Sequence, residues 1–413
     1  MKRKGNLYGD ICSVDNLMLA ERKAGKGKRK KREVRLYRAN LEENIAELHE
    51  MLVSKTYRTS PYHVFKIYEP KERDISKLPY RDRIVHHAIM NYLEDVFVPM
   101  FTADVYNCVK GRGVHKAVRA IKQAFKDRDG TRYCLKIDIS KFYPNVDHAV
   151  MKQQLRRKIK DNELLGLLDE IIDSAPGLPI GNYLSQYLAN FNLTGLDHWL
   201  KEVKKVKYYF RYADDMVFLA DSKEYLHCLL ADIREYLEVH LKLKLKGNYQ
   251  VFPVVARGID VIGYVFYHTH TLIRKGIKKR CCRMLKKRRN PASIASYGGW
   301  MKHANCRNLE NKLNMKSFRD LNLPRENRQG FVGEKIKPDW ILNREITVHA
   351  YKIEKSKAVQ GTDYIQMQIE VDNVKRLLFI SGVDLIRDLL RMQPDDFPFT
   401  TTIKKPNGRY EFN

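Results

Sequence analysis

The stretch from Lys207 to Ala220 constrains this chain more than any other. It consists of two apolar runs broken by Tyr212-Ala213-Asp214-Asp215. Apolar runs on either side of a tight acidic turn predict a β-hairpin with Asp at its tip. Two adjacent carboxylates there repel each other and are costly unless a cation sits with them. A second acid, Asp138, lies near the end of another strand-like run, Tyr133 to Ile139. If that strand pairs beside the hairpin, Asp138 and Asp214 converge. Such a pair suits two Mg2+ ions held by carboxylates and substrate phosphates. Two metals so placed activate the attacking oxygen and stabilise the leaving oxygen of an in-line phosphoryl displacement. On spacing alone, an Asx-type turn that happens to carry two Asp accounts for the hairpin tip equally well.

Charge narrows the partner. The 413 residues hold 77 Lys and Arg against 49 Asp and Glu, a formal charge of +28. Like charges repel in a compact state, so such an excess points outward, to a polyanion: nucleic acid first, an anionic membrane surface second. No run of about 18 apolar residues exists to span a bilayer. The start, Met1-Lys2-Arg3-Lys4-Gly5, is basic without the apolar stretch of a signal peptide, so a cytoplasmic protein without a membrane partner is expected. Seven cysteines at irregular spacing, with no C-x-x-C pair, predict reduced thiols and no zinc site.

Along the chain, Arg22 to Arg32 carries eight Lys/Arg in eleven residues and reads as a mobile basic segment that contacts nucleic acid. Leu41 to Leu52 has the spacing of an amphipathic helix, with Asn40 as its N-cap. Helices are also predicted over Ile84–Phe97, Tyr183–Leu200 and Tyr225–Leu237, and a strand over Val261–Tyr267. Arg274 to Arg289 is a basic helix with ten Lys/Arg in sixteen residues. A polar, Gly-containing linker is expected at Pro324–Gly333. Beyond it come three strand-like runs (Ile346–Ile353, Tyr364–Val371, Leu377–Ile380), a short helix (Val383–Met392) and a polar tail. His86-His87 has no metal-ligand spacing and reads as structural.

With these elements in order, the chain resembles a reverse transcriptase. Tyr212-Ala213-Asp214-Asp215 is similar to the family's central motif, and Lys136-Ile137-Asp138-Ile139-Ser140-Lys141-Phe142-Tyr143-Pro144 to the first catalytic-aspartate motif. Gly111-Arg112-Gly113-Val114-His115 resembles the motif before it. Leu78-Pro79-Tyr80-Arg81-Asp82-Arg83-Ile84-Val85 resembles a fingers motif of bacterial members, and Gly258-Ile259-Asp260-Val261-Ile262-Gly263-Tyr264 the primer-grip hairpin. The subgroup is marked by Leu178-Pro179-Ile180-Gly181-Asn182-Tyr183-Leu184-Ser185-Gln186. Group II intron and retroviral enzymes usually carry Gln before the Gly, and introns usually carry Ser-Pro where this chain has Ser185-Gln186. An aliphatic residue before Gly, followed by Ser-Gln, resembles the reverse transcriptases of diversity-generating retroelements. Asn6 to Lys23 and the thumb-like Tyr297-Gly298-Gly299-Trp300-Met301-Lys302-His303 also resemble that subgroup.

The resemblance implies an α+β, right-hand polymerase fold. Residues 1–50 would form a basic N-terminal extension, 51–268 the fingers and a ferredoxin-like palm, 269–325 a helical thumb, and 335–413 a small β-rich accessory domain. Asp138, Asp214 and Asp215 would be the catalytic acids. Asp138, Asp214 and the Ile139 carbonyl would hold two Mg2+ ions. Arg73, with Lys66, would meet the incoming triphosphate, since guanidinium suits phosphate bidentately. Tyr143 would be the steric gate against a ribose 2′-OH. Ile180, Gly181 and Gln186 would contact the nucleotide. Isoleucine cannot donate the hydrogen bonds of a Gln, and losing such a polar check lowers discrimination by about 1–3 kcal/mol, roughly ten- to a hundredfold. The family's proton-donating lysine aligns near Asn248, leaving Lys246 as the candidate general acid. Arg112, Gly263, Lys278 and Lys279 would touch template or primer, with Arg112 alternatively contacting only its own motif's loop, and the basic helix tracking the duplex backbone without reading sequence.

The implied reaction is error-prone, adenine-mutagenic cDNA synthesis for mutagenic retrohoming, in the cytoplasm of a bacterial or phage-infected bacterial cell. Its partners would be a template RNA, the RNA/cDNA duplex, dNTPs and a small basic oligomeric accessory protein. An antiphage-defence or retron-type reverse transcriptase is the alternative. The C-terminal unit is expected to bind single-stranded nucleic acid, with Tyr351, Tyr364 and Phe379 as candidate stacking residues.

Overall fold

The computed structural model describes residues 3–68, 72–287, 290–314, 331, 333–355 and 362–413. The expected linker at Pro324–Gly333 lies almost wholly outside them. The chain divides into two compact units, Met1–Thr269 and His270–Asn413.

The first unit opens with four helices, α1 (Tyr8–Cys12), α2 (Val14–Ala24), α3 (Arg32–Ala39) and α4 (Leu41–Val53). A two-stranded hairpin follows, β1 (His63–Ile67) and β2 (Arg73–Lys77), then α5 (Tyr80–Phe97) and α6 (Val114–Ala124). Next come β3 (Tyr133–Ile137), α7 (His148–Arg156), α8 (Asn162–Asp173), α9 (Tyr183–Asn192) and α10 (Thr194–His198). The unit closes with β4 (Tyr208–Tyr212), β5 (Asp215–Ala220), α11 (Lys223–Tyr236), β6 (Gln250–Pro253), α12 (Val254–Arg257), β7 (Ile259–Val261) and β8 (Tyr264–Phe266).

The central sheet has the order β4-β5-β3-β6, all antiparallel. Strand, helices, two strands, helix, strand, with the first strand set between the third and the fourth, is ferredoxin-like connectivity. Its register sets Ile137 opposite Met216 and Tyr212 opposite Asp215. The end of β3 and the β4–β5 turn therefore lie side by side at one end of the sheet. Leu135, Ile137, Met216 and Phe218 bury one continuous apolar surface under the helices.

The basic N-terminal stretch is not an appendage. Ile11, Leu17, Ala20, Ile45, Leu48 and Leu52 join the same core as Ile84, Val85, Ala88 and Ile89 of α5. The expected mobile segment Arg22–Arg32 is the end of α2 followed by turns leading into α3. Glu33 fixes it in place, pairing with Lys77 at 2.9 Å and Arg83 at 2.7 Å. Sequence reasoning missed this because the apolar spacing of residues 8–24 is short and the charge run dominates it. Asn40 makes no side-chain cap; its amide turns to Glu43 instead. The predicted strand Val261–Tyr267 is a hairpin, β7 and β8, because Ile262 and Gly263 both take positive φ.

His86 and His87 both sit on α5. His86 is buried, and neither ring nitrogen has a partner among the described residues. Burial pushes it down to about 4, opposed by Asp82 and assisted by His87. A proton therefore prefers the unfolded chain. Stability is full above the unfolded value near 6.5 and falls as pH drops from there through about 4. We expect His86→Leu to flatten this loss. Urea unfolding at pH 7 and pH 5 should show the wild type losing on the order of 1–2 kcal/mol more than the variant.

The second unit contains β9 (Thr271–Ile273), α13 (Lys275–Lys287), α14 (Pro291–Met301) and α15 (Arg307–Asn314). A six-stranded sheet then forms from β10 (Glu334–Ile336), β11 (Glu345–Lys355), β12 (Asp363–Val371), β13 (Val374–Ile380), β14 (Phe399–Lys404) and β15 (Glu411–Phe412), with α16 (Val383–Leu389) inserted before β14. Its order is β10-β13-β12-β11-β14-β15. The polar tail of the sequence reading is thus two further strands. Ile346, Val348, Ile365, Met367, Ile369, Leu378 and Ile380 line one face and pack with Leu385 and Leu389 of α16.

Candidate active site

The site forms where β3 ends against the β4–β5 turn. Ala213 occupies the turn at φ +58°, a left-handed conformation that costs a non-glycine residue about 1 kcal/mol or more. It is held from both sides. Asn107 Oδ1 accepts from the Ala213 N–H at 2.9 Å, and Arg211 donates to the Ala213 carbonyl at 3.2 Å. Asp214 follows and faces Asp138 within hydrogen-bonding reach. Burial, and then the charge of Asp138, push the Asp214 carboxyl up to about 6. Asp138 Oδ1 is buried and has no hydrogen-bond partner among the described residues. Asp215 opens β5 beside them and contributes further to raising Asp214.

These features fit a divalent cation. A buried carboxylate oxygen without a donor, facing a second carboxylate, is an acceptor-only pocket that a metal would complete. Among the described residues no group of three His, Cys, Asp or Glu is arranged to hold a metal. Mg2+ usually takes one or two carboxylates and draws its other ligands from water and substrate phosphates. The strand after Asp138 bridges to the segment Lys244–Lys246. Ser140 N donates to Lys244 O at 2.8 Å and Lys246 N to Asp138 O at 2.9 Å. These bonds leave the Ile139 carbonyl outside the bridge.

Lys246 itself ion-pairs with Asp138 Oδ2. The lysine expected to protonate a leaving group is therefore bound to a carboxylate of the acidic pair. In charge terms it stands where a cation would.

Tyr143 lies in the short 3-10 turn after Asp138, edge-on to Phe142 with ring centroids 5.7 Å apart. Burial raises its phenol; the charge of Asp214 adds to the rise, and those of Arg211 and Arg73 oppose it. The loop carrying Leu178 to Gly181 is tied to both sides. Leu178 N donates to Tyr143 O at 2.7 Å, and Ser76 N of β2 donates to Ile180 O at 2.8 Å. Gly181, at φ +122°, passes so close to β2 that a Cβ would meet Ser76 O at 2.8 Å. The loop carrying Ile180 is thereby held between β2 and the Tyr143 backbone.

Gly177, at φ +61°, is tighter still. A Cβ there would meet the carbonyl oxygens of both Tyr143 and Pro144 at 2.4 Å. Backbone cannot swing away as a side chain can. Gly177→Ala should therefore cost about 2–3 kcal/mol of stability, measured by urea unfolding.

The other expected contacts divide. Arg73 is exposed on β2, opposite Ile67. Lys66 is on the same hairpin but pairs with Glu72 at 2.7 Å. Gln186 is exposed on α9, and Cys108 Sγ donates to its Oε1 at 3.3 Å. Of its two expected roles, Arg112 takes the one in its own loop: its guanidinium binds the carbonyls of Thr102 and Val105 (3.1 Å to the latter). Gly263 is in the β7–β8 turn, and Lys136 of β3 donates to Asp260 O at 2.7 Å. Lys278 and Lys279 are in the second unit, exposed on α13, while Ile277 and Cys281 of that helix are buried.

Sequence reasoning missed the polar residues behind the site. Arg211 and Asp197 are both fully buried and form a bidentate pair, Nε to Oδ1 at 2.8 Å and a terminal nitrogen to Oδ2 at 2.5 Å. Tyr209 OH also donates to Asp197, at 2.7 Å. The signal was present: an Arg within the apolar run Tyr208–Tyr212 and an Asp between Leu193 and Leu200 are unpaired charges in core segments, and such charges demand a partner.

The C-terminal stacking trio is also divided. Tyr364 and Phe379 stack at 6.1 Å on one face of the sheet, with the Lys335 ammonium 4.7 Å from the Phe379 centroid. Tyr351 packs on the other face, its OH donating to Leu389 O at 2.8 Å. Residues 333–413 carry 13 Lys/Arg against 12 Asp/Glu, so nearly all of the +28 lies outside them. A nearly neutral sheet lacks the electrostatic pull that dominates nucleic-acid binding.

Among the described residues no helix is long and apolar enough to cross a membrane. All seven cysteines are free.

Comparison with known proteins agrees with this geometry. Residues 332–413 match a family described as a domain of unknown function, DUF8468. Protein YkfC of Escherichia coli (strain K12) is 26% identical over 289 residues, covering 58% of this chain and 74% of YkfC. The group II intron-encoded protein LtrA of Lactococcus lactis subsp. cremoris is 25% identical over 217 residues, covering 49% of this chain but only 33% of LtrA. Telomerase from Candida albicans, solved with a fragment of telomeric RNA, aligns over 58% of this chain and 54% of its own at a TM-score of 0.40 and 10% identity, too slight a likeness to carry an argument. Residues 68–265 match the family described as reverse transcriptase (RNA-dependent DNA polymerase). The chain carries a reverse transcriptase domain, that of an RNA-directed DNA polymerase, over residues 68–265.

Proposed function

We propose that this protein is the reverse transcriptase of a diversity-generating retroelement, copying a template RNA into cDNA with frequent errors at adenines. The observation that carries the chemistry is the facing pair Asp138 and Asp214, with a buried Asp138 oxygen left without a donor. Asp138, Asp214 and the Ile139 carbonyl would hold two Mg2+ ions, which supply activation of the primer 3′-OH and charge neutralisation at the leaving pyrophosphate. Arg73 meets the triphosphate, with Lys66 beside it once released from Glu72. Tyr143 closes the site toward a 2′-OH. Gly181 and Gln186 line the nucleotide's path. Lys246 pairs with Asp138 and is the candidate general acid. Lys278, Lys279 and the β7–β8 turn with Gly263 contact the duplex, as backbone-directed cations and a hairpin suit template and primer. A right-hand arrangement of fingers, palm and thumb agrees with the ferredoxin-like sheet and the basic helix α13.

The subgroup rests on Ile180. It offers no side-chain hydrogen bond, in a loop fixed against both Arg73's hairpin and Tyr143. Ile180→Gln should lower misincorporation roughly ten- to a hundredfold, read by sequencing cDNA from both proteins.

The test is primer extension on an RNA template with Mg2+ and dNTPs, with the cognate RNA and a small basic accessory protein added in parallel. Errors concentrated opposite template adenines support the reading. Few and evenly spread errors place the enzyme instead with defence or retron-type reverse transcriptases. No extension under any of these conditions overturns polymerase function.

A further inference from the structure

The geometry points to a buried relay, Asp197–Arg211–Asn190–Asn107, that positions the catalytic turn and so sets the protein's affinity for its metal. This inference rests on the reading of Asp138 and Asp214 as metal ligands. Each link is a hydrogen bond in the interior. Asp197 grips Arg211 with both oxygens, as above. The remaining guanidinium nitrogen divides between Asn190 Oδ1 at 3.1 Å and Ala213 O at 3.2 Å. Asn190 in turn donates to Asn107 O at 3.0 Å, and Asn107 Oδ1 accepts from the Ala213 N–H at 2.9 Å. The circuit closes on one residue. Both backbone polar groups of Ala213 are held by side chains of this relay, and Ala213 immediately precedes Asp214.

The relay is more than a way to satisfy buried groups. Ala213 sits at φ +58°, which it would leave if released. Asp214 must meanwhile stay against Asp138 although both carry negative charge. Repulsion would open the turn, and the two bonds to Ala213 oppose that. Arg211 suits the task because its planar fork can hold Asp197 with one edge and reach Ala213 with the other. Lysine has one nitrogen and cannot do both. The relay residues touch neither substrate nor metal and are positioning residues.

The experiment uses the full chain and two variants. Arg211→Lys keeps a cation opposite Asp197 but has no second nitrogen for Ala213. Asn107→Ala removes the other support and leaves no buried charge unpaired. Mn2+ is the probe, followed by electron paramagnetic resonance of the free ion, counting only the binding that Asp214→Ala removes. Primer extension and template–primer affinity are measured alongside. The expected result is a Mn2+ dissociation constant raised roughly tenfold and kcat lowered roughly ten- to a hundredfold, as a misplacement of about 1 Å produces. The KM for dNTP, template–primer affinity and circular dichroism should remain those of the wild type. A merely structural role would lower stability and leave Mn2+ affinity and kcat unchanged in whichever variant folds; that result overturns the relay. A wild type with no Asp214-dependent Mn2+ binding overturns it as well. A wild type that extends no primer, yet loses Mn2+ affinity on these substitutions, removes the polymerase reading and leaves the relay standing.

Discussion

Replacing Asp214 with alanine is expected to lower primer extension by at least about 10³-fold, a loss of some 4 kcal/mol of transition-state stabilisation, without unfolding the protein. The two halves of this result have one cause. Asp214 is poised against Asp138, and burial plus that charge hold its carboxyl well above the usual range. A group so placed is unfavourable to the fold at neutral pH and useful only with a cation present. Removing it relieves the repulsion, so the melting temperature in metal-free buffer should equal or exceed that of the wild type. In buffer with Mg2+ the order should reverse, because only the wild type gains stability from binding the ion. A variant that loses stability in metal-free buffer as well as activity would show Asp214 to be a structural residue.

Arg211→Met is expected to have the largest effect on folding, about 3–5 kcal/mol by urea unfolding. Arg211 is fully enclosed, and its loss strands the Asp197 carboxylate in the same interior. Solvent cannot enter to compensate, which separates this pair from the exposed bridges such as Lys55–Glu163, whose loss should fall within about 1 kcal/mol. Adding Asp197→Asn to Arg211→Met removes the stranded charge and should restore part of the stability. If the double variant is no more stable than the single one, the cost lies in packing around the guanidinium and not in the buried charge.

Much of the site was legible because its signals are local. Asp138 and Asp214-Asp215 stand out as acids at the ends of apolar runs in a basic chain, and such runs become strands wherever they pair. The hairpin at Lys207–Ala220 and the helices at Leu41–Leu52 and Ile84–Phe97 follow from apolar spacing. Ile180, Gly181 and Tyr143 were named from their place in ordered motifs, and backbone bonds join their segments to one another and to β2. Arg112 stayed open between template and its own loop because a motif gives the residue type and not the direction of its side chain. Here the carbonyls of Thr102 and Val105 take the guanidinium. Tyr351 was grouped with Tyr364 and Phe379 by residue type. A register shift between Val348 and Ala350 in β11 changes which residues share a face, and spacing alone does not show such a shift.

By itself the sequence determined where the acidic hairpin and the helices with clear apolar spacing lie, and that the first 332 residues carry the charge a polyanion would meet. Periodicity and charge are properties of neighbours along the chain, so they survive without a structure. Only the tertiary structure decided which polar groups answer one another. Ala213 is held by Asn107 from 106 residues away, Lys246 reaches Asp138 across 108, and the N-terminal helices are drawn into the core of α5. A buried polar group must find a partner wherever folding brings one within about 3 Å, and which partner that is depends on the packing of the whole unit.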